Sequence, residues 1–141
     1  MSTENEVRAA STQFYAALNS MINGDVGPLG DIWSHSEDAT TMHPIGGREV
    51  GWDEVEGPWA QVASLSSGGQ VELDDQLLRV GGDIAYELGT ERGQAVMAGE
   101  QVSIEQRVTN VYRREGGTWK IVHHHTDLSP AMVDLIKRLQ G

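Results

Sequence analysis

The sequence predicts an α+β domain in which N-terminal helices pack on the concave face of a curved antiparallel sheet and enclose a pocket. Two observations carry that expectation. Apolar residues at three- and four-residue spacing mark helices in the first half, and from Gln70 onward the pattern changes to long alternating segments separated by glycine-containing turns. A length of 141 residues suits one domain, 1–141.

Thr3-Glu4-Asn5-Glu6 has the spacing of a capping box, whose Thr hydroxyl and Glu carboxylate satisfy free amides at a helix start. The helix that follows carries Val7, Ala10, Phe14, Ala17, Leu18, Met21 and Ile22 on one stripe and ends at Asn23-Gly24-Asp25. A short helical turn over 26–34 is interrupted by Gly27-Pro28 and Gly30. Asp38-Ala39-Thr40-Thr41-Met42-His43 reads as a short strand, stopped by Pro44 and a Gly46-Gly47 turn. A third helix over 52–65 sets Trp52, Val55, Trp59, Val62 and Ala63 on a common side, with Pro58 expected to bend it. After a loop to Gly69, strands at 71–80, 83–97, 102–114 and 118–127 form a meander. Ser129-Pro130 opens a last amphipathic helix through Met132, Leu135, Ile136 and Leu139.

The formal net charge of −11 disfavours nucleic acid and anionic membranes as partners, since both would repel the chain. With no cysteine there is no disulfide, no thiolate metal site and no cysteine nucleophile. No basic and apolar leader and no membrane-length apolar run is present, so the expectation is a cytoplasmic protein that meets small molecules or other proteins.

The chemistry is sought in Trp119-Lys120-Ile121-Val122-His123-His124-His125-Thr126-Asp127. Strict alternation sends Trp119, Ile121, His123 and His125 to one face and leaves His124 on the other. A three-residue hairpin loop over Glu115-Gly116-Gly117 sets Thr109 opposite His123 and Arg107 opposite His125. Arg107, Thr109, His123 and His125 then form one cluster, extended by Glu105, while Val102, Ile104, Val108 and Tyr112 point the other way. Such a group can hold an anion and move a proton, or it can be a structural polar network satisfied by Thr109, Glu105 and Asp127. A divalent ion on His123, His125 and His43 is a weaker alternative, because no carboxylate stands at a diagnostic spacing; no metal and no cofactor is expected. Phe14, Trp33, Trp59 and Tyr86 are candidates to line an apolar pocket.

Three stretches resemble the nuclear transport factor 2-like superfamily, in its polyketide-cyclase (SnoaL)-like and ketosteroid-isomerase-like branch. They are Phe14-Tyr15-Ala16-Ala17-Leu18-Asn19 with Asn23-Gly24-Asp25, Asp38-Ala39-Thr40-Thr41-Met42-His43-Pro44-Ile45-Gly46, and Tyr112 through His125. The last is also similar to the end of the calcium/calmodulin-dependent kinase II association domain. The resemblance implies a cone of curved sheet and helices with a deep pocket, usually a dimer through the outer sheet face. It also implies that the general-base Asp of ketosteroid isomerases falls on His43. The oxyanion-hole Tyr falls near Phe14 and the protonated Asp near Thr109, which argues against steroid isomerisation.

The expected function is a cofactor-independent acid–base enzyme for a mainly apolar or aromatic carbonyl or carboxylate compound. His43 would be the base, Arg107 the oxyanion or carboxylate partner, and His123 and His125 the acid or orienting groups; Phe14, Trp33, Trp59, Tyr86, Glu105 and Thr109 would contact the ligand. Isomerase, cyclase, dehydratase and hydrolase chemistry stay open. The alternative is a non-catalytic binding or association module that forms a homodimer through its outer sheet face.

Overall fold

The computed structural model describes residues 3–140. Its elements run α1 (Thr3–Ile22), α2 (Gly27–Ile32), β1 (Thr40–His43), β2 (Gly46–Val50), α3 (Trp52–Leu65), β3 (Ser66–Gly81), β4 (Ile84–Met97), β5 (Glu100–Glu115), β6 (Thr118–Thr126) and α4 (Pro130–Gln140). The α+β class is as the sequence predicts, and the helices and long strands lie close to their expected bounds except β3, which begins at Ser66 directly after α3 where a loop to Gly69 was expected. Thr3 is already helical. Pro58 lies inside α3 without ending it.

Six strands form one curved, unclosed sheet in the order β2-β1-β6-β5-β4-β3. Two features depart from the expected meander. Gly46–Val50 is a strand, β2, because the reversal falls on Pro44 and Ile45 and pairs His43 with Gly46. In addition β1 joins β6 in parallel, with Thr40, Thr41 and Met42 beside His123, His124 and His125, so the sheet is mixed. Gly69 and Gly93 allow β3 and β4 to approach closely: a Cβ on either would collide with the backbone of the other strand.

The core lies between the concave face and the helices. Phe14 and Val7 of α1, Leu29 and Ile32 of α2, Val55 and Trp59 of α3, and Met132 and Leu135 of α4 are buried against Val71, Ala95, Met97, Ile104, Tyr112 and Ile121 of the sheet. On β5 the even-numbered residues from Val102 to Tyr112 are all buried, so Val102, Ile104, Val108 and Tyr112 face inward, where an outer position was expected. Among the described residues no helix is long and apolar enough to cross a membrane.

Candidate functional site

The hairpin between β5 and β6 decides which histidine enters the interior. Its loop has two residues, since Glu115 pairs with Thr118. Three pairs further along a β-bulge interrupts the ladder: Tyr112 pairs with Ile121 but Val111 with His123, which leaves Val122 as the extra residue. Trp119 and Ile121 therefore face inward before the bulge, and His124 and Thr126 after it. Strict alternation would have continued Ile121 into His123. The sequence expectation for the three imidazoles is accordingly reversed: His124 is 2% exposed, and His123 and His125 lie on the convex face.

The grouping of Arg107, Thr109, His123 and His125 on one face holds, with Thr109 beside His125, but that face is the outer one. Arg107 is 83% exposed and forks onto Asp127, Nε to Oδ2 at 2.9 Å and Nη2 to Oδ1 at 3.0 Å. The guanidinium holds the Asp127 carboxyl down at about 2. His123 Nδ1 is 2.7 Å from Thr40 Oγ1, and its ring lies 6.0 Å from that of His125. Glu105 and Tyr86 are exposed on the same side. Of the expected ligand contacts, Phe14, Trp33 and Trp59 are buried inside. His43 ends the inward row of β1, on the other side of the sheet from His123 and His125, so these three cannot share an ion. Among the described residues no three His, Asp or Glu side chains are grouped as a metal would need.

A cavity of about 60 Å³ lies between the helices and the concave sheet. Its wall is mostly apolar, with Leu18, Met21, Trp59, Val71, Met97 and Met132 among the lining residues, and its polar members are His43, Ser66, Glu91, Gln106 and His124. Only His43 and Trp59 of these were singled out from the sequence. Glu91 sits on β4 and Gln106 on β5, directly paired in the ladder, and their side chains meet: Gln106 Nε2 donates to Glu91 Oε1 at 2.9 Å. Tyr15 Oη donates to Glu91 Oε2 at 2.9 Å. Burial raises the Glu91 carboxyl to about 7, with these two hydrogen bonds opposing the rise.

Asn110 ties this carboxylate to the histidine. Its Nδ2 donates to Tyr15 Oη and to Glu87 Oε1, each at 3.0 Å. Both amide hydrogens are thereby used on acceptors, so Oδ1 accepts, and its 2.6 Å contact with His124 Nδ1 requires that nitrogen to carry the proton. His124 is left with Nε2 as its unprotonated nitrogen. Burial first, then neighbouring imidazoles, hold His124 well below the ordinary histidine range and therefore neutral. Glu87, behind the cavity, also accepts from Tyr112 Oη at 2.8 Å and from Gln76 Nε2 at 2.6 Å.

His43 packs edge-on against Trp59, with centroids 4.8 Å apart, and 6.4 Å from His124. Its Nε2 lies 3.1 Å from Glu49 Oε1, yet the approach is off the bonding direction and the nitrogen has no hydrogen-bond partner. Burial lowers its pKa to about 4, so the contact is not an ion pair near neutral pH.

The sequence signals part of this arrangement. Glu87 and Glu91 share parity with Ala85, Ala95 and Met97 along β4, and carboxylates on a buried strand face require partners. Tyr15, next to Phe14, also points inward because α1 is covered over a wide arc by sheet and helices. The Val122 bulge has no such signal.

A family model for the SnoaL-like domain matches residues 7–132. No curated protein sequence matches the chain. Among solved structures, the chain is similar to a candidate dehydratase of the NTF2-like family from Streptomyces avermitilis, at 28% identity over 89% of this chain and 95% of that chain, with a TM-score of 0.78. It is also similar to a ketosteroid isomerase-like protein from Erwinia carotovora atroseptica (18% identity, 90% and 97% covered, TM-score 0.73). A third is a candidate calcium/calmodulin-dependent protein kinase II association domain from Xanthomonas campestris (20% identity, 89% and 86% covered, TM-score 0.70).

Proposed function

The chain belongs to the SnoaL-like domain family of the NTF2-like superfamily, and from that premise we propose that it is a cofactor-independent acid–base enzyme for a small, mainly apolar carbonyl compound. The observation that carries this reading is the convergence, on one apolar cavity, of a carboxyl titrating at about 7 and a histidine with an assigned tautomer. A proton-transfer group works best with a pKa near the operating pH, and Glu91 meets that condition. Tyr15 and Gln106 orient its two oxygens, and His124 Nε2 can accept the hydrogen of a substrate hydroxyl. His43 is the less suited base, since burial leaves its imidazole weakly basic. With Arg107, His123 and His125 turned outward, the chemistry falls to Glu91 and the interior histidines.

In the step proposed, ionised Glu91 takes a proton from the carbon next to the carbonyl. Returning that proton to another carbon isomerises the compound; giving it to a departing β-hydroxyl eliminates water. The likeness to the Streptomyces protein favours elimination. The test is conversion of 3-hydroxycyclohexanone to cyclohexenone, followed by ultraviolet absorbance, together with α-proton exchange of cyclohexanone in D2O. Wild-type catalysis lost in Glu91→Gln supports the reading. Equal rates for that variant and the wild type, or no acceleration of either reaction, sinks it.

A second reading concerns the convex face and is compatible with the first. Leu77, Ile84, Tyr86 and Leu88 are 37–45% exposed there on neighbouring strands, an apolar surface suited to covering by a second copy. Sedimentation of wild type and Tyr86→Glu tests it: a dimer dispersed by the charge supports homodimerisation, and a monomeric wild type rejects it.

A further inference from the structure

The polar atoms that the cavity leaves without partners define what it can receive. Ser66 Oγ is used on Val62 O at 2.7 Å, His124 Nδ1 on Asn110, and both oxygens of Glu91 on Tyr15 and Gln106. Gln106 is different. Its Nε2 is engaged by Glu91, while its Oε1 is buried and has no hydrogen-bond partner. When Glu91 is ionised the amide cannot be reversed, because a carbonyl oxygen would then face a carboxylate. Buried carbonyl oxygens are seldom left unpartnered, so one here, in a side chain lining a cavity, calls for a donor from outside the protein. Trp59, also on the wall, has an unpartnered Nε1 donor.

Charge selection follows from the same wall. Among the described lining residues there is no Lys or Arg, and both histidines are held neutral. An anion would lose its water beside Glu91 with no cation in return. A cation meets no such penalty, because ionised Glu91 attracts it and both Gln106 Oε1 and the unprotonated His124 Nε2 are open acceptors. The carboxylate-bearing ligand expected from sequence depended on Arg107, which lies on the other side of the sheet. Size is set less strictly. A cavity of about 60 Å³ has room for a few small groups, but Met21, Met97 and Met132 line it, and unbranched thioether side chains can rearrange around a larger occupant.

We propose that this cavity selects mainly apolar molecules carrying a hydroxyl or N–H group that donates to Gln106 Oε1, and that it rejects carboxylates. The proposal rests on the reading of the cavity as the ligand site and names the class of substrate that site takes.

Three probes of similar size separate the possibilities: 4-methylphenol, toluene and benzoate, each titrated at about pH 8 into wild type and Gln106→Met, with the Trp59 indole N–H resonance as readout. The expected result is that 4-methylphenol binds wild type about tenfold more tightly than toluene or benzoate, and that Gln106→Met reduces its advantage over toluene to less than about twofold. Benzoate binding as tightly as 4-methylphenol overturns the charge selection, and a preference for 4-methylphenol that survives in the variant overturns the role of Gln106. These outcomes leave the ligand site itself intact. If none of the three shifts the resonance, the ligand-site reading fails and the proposal fails with it. The wild-type series decides charge selection even if the variant does not fold.

Discussion

The concave and convex faces of β6 carry chemically identical side chains in opposite circumstances. His124 is buried, neutral and held in one tautomer by Asn110. His125, one residue on, is exposed beside the Arg107–Asp127 pair. Between them lies one sheet thickness. What distinguishes an interior acid–base group from a surface residue here is the set of neighbours that burial imposes, and the residue type is no guide. The same contrast separates Glu91, raised to about 7 by burial, from Asp127, lowered to about 2 by a guanidinium in open solvent.

Removing the device that creates the two faces should have the largest effect. Inserting an alanine between Val111 and Tyr112 gives Val122 a partner and abolishes the bulge, so one part of the hairpin must present its side chains to the wrong side, turning Asn110 and His124 outward or exposing Trp119 and Ile121. The expected outcome is loss of the cooperative unfolding transition in thermal circular dichroism. A variant that still melts sharply, near the wild-type temperature, would show that the bulge can be replaced by a register shift.

Catalysis should divide in the same way. Glu91→Gln should lower turnover by about 10²- to 10⁴-fold, the usual contribution of a positioned proton-transfer group, whereas Arg107→Ala and His125→Ala on the convex face should change it less than about twofold. Steady-state kinetics of all three variants on one substrate makes the comparison. Trp59→Ala should cost about 3–5 kcal/mol in urea unfolding, as large-to-small core replacements do, against less than about 1 kcal/mol for Tyr86→Ala on the outside.

The interior titrations predict a pH dependence with two opposed parts. Glu91 has a folded pKa raised from 4.5 to about 7, so the native state holds its proton more tightly. Its contribution is fully present below about pH 4.5 and is lost as pH rises through 7, on the order of 3 kcal/mol. His43, lowered from 6.5 to about 4, acts in the opposite direction: its contribution is present above about pH 6.5 and is lost as pH falls through 4, again on the order of 3 kcal/mol. Urea unfolding across this range should show Glu91→Gln gaining on wild type with rising pH and His43→Phe gaining with falling pH. Parallel curves for all three proteins would mean that neither group is as desolvated as the geometry implies. The smallest effect belongs to Arg107→Ala, whose stability should track wild type at high salt, because exposed ion pairs are screened.

Much of this was legible in the chain. The stripe of α1, the span of α3, and the long glycine-punctuated strands are local patterns in which each residue's period reports its own element. Resemblance in three stretches pointed to the superfamily that the family model identifies. Of the residues that line the cavity, His43 was singled out through the resemblance, where it takes the place of a general-base Asp, and Trp59 through its place on a helix stripe. Glu91, Gln106 and Asn110 were not singled out, because polar residues on alternating strand positions look like a solvated face until a partner strand is laid beside them. Then Gln106 meets Glu91, Asn110 meets His124, and the row proves to be inside.

What the sequence by itself determined was the kind and order of the elements, since helical and strand periodicities are set by short-range backbone geometry. Which face of β6 is buried was decided only in the tertiary structure. β6 is flanked by β5 and β1 and must lay Trp119 and Ile121, and also His124 and Thr126, against the core. No strict alternation meets both demands. The strand accommodates them by leaving Val122 unpaired, and because strand side chains repeat every two residues, that one residue exchanges the faces of all three histidines.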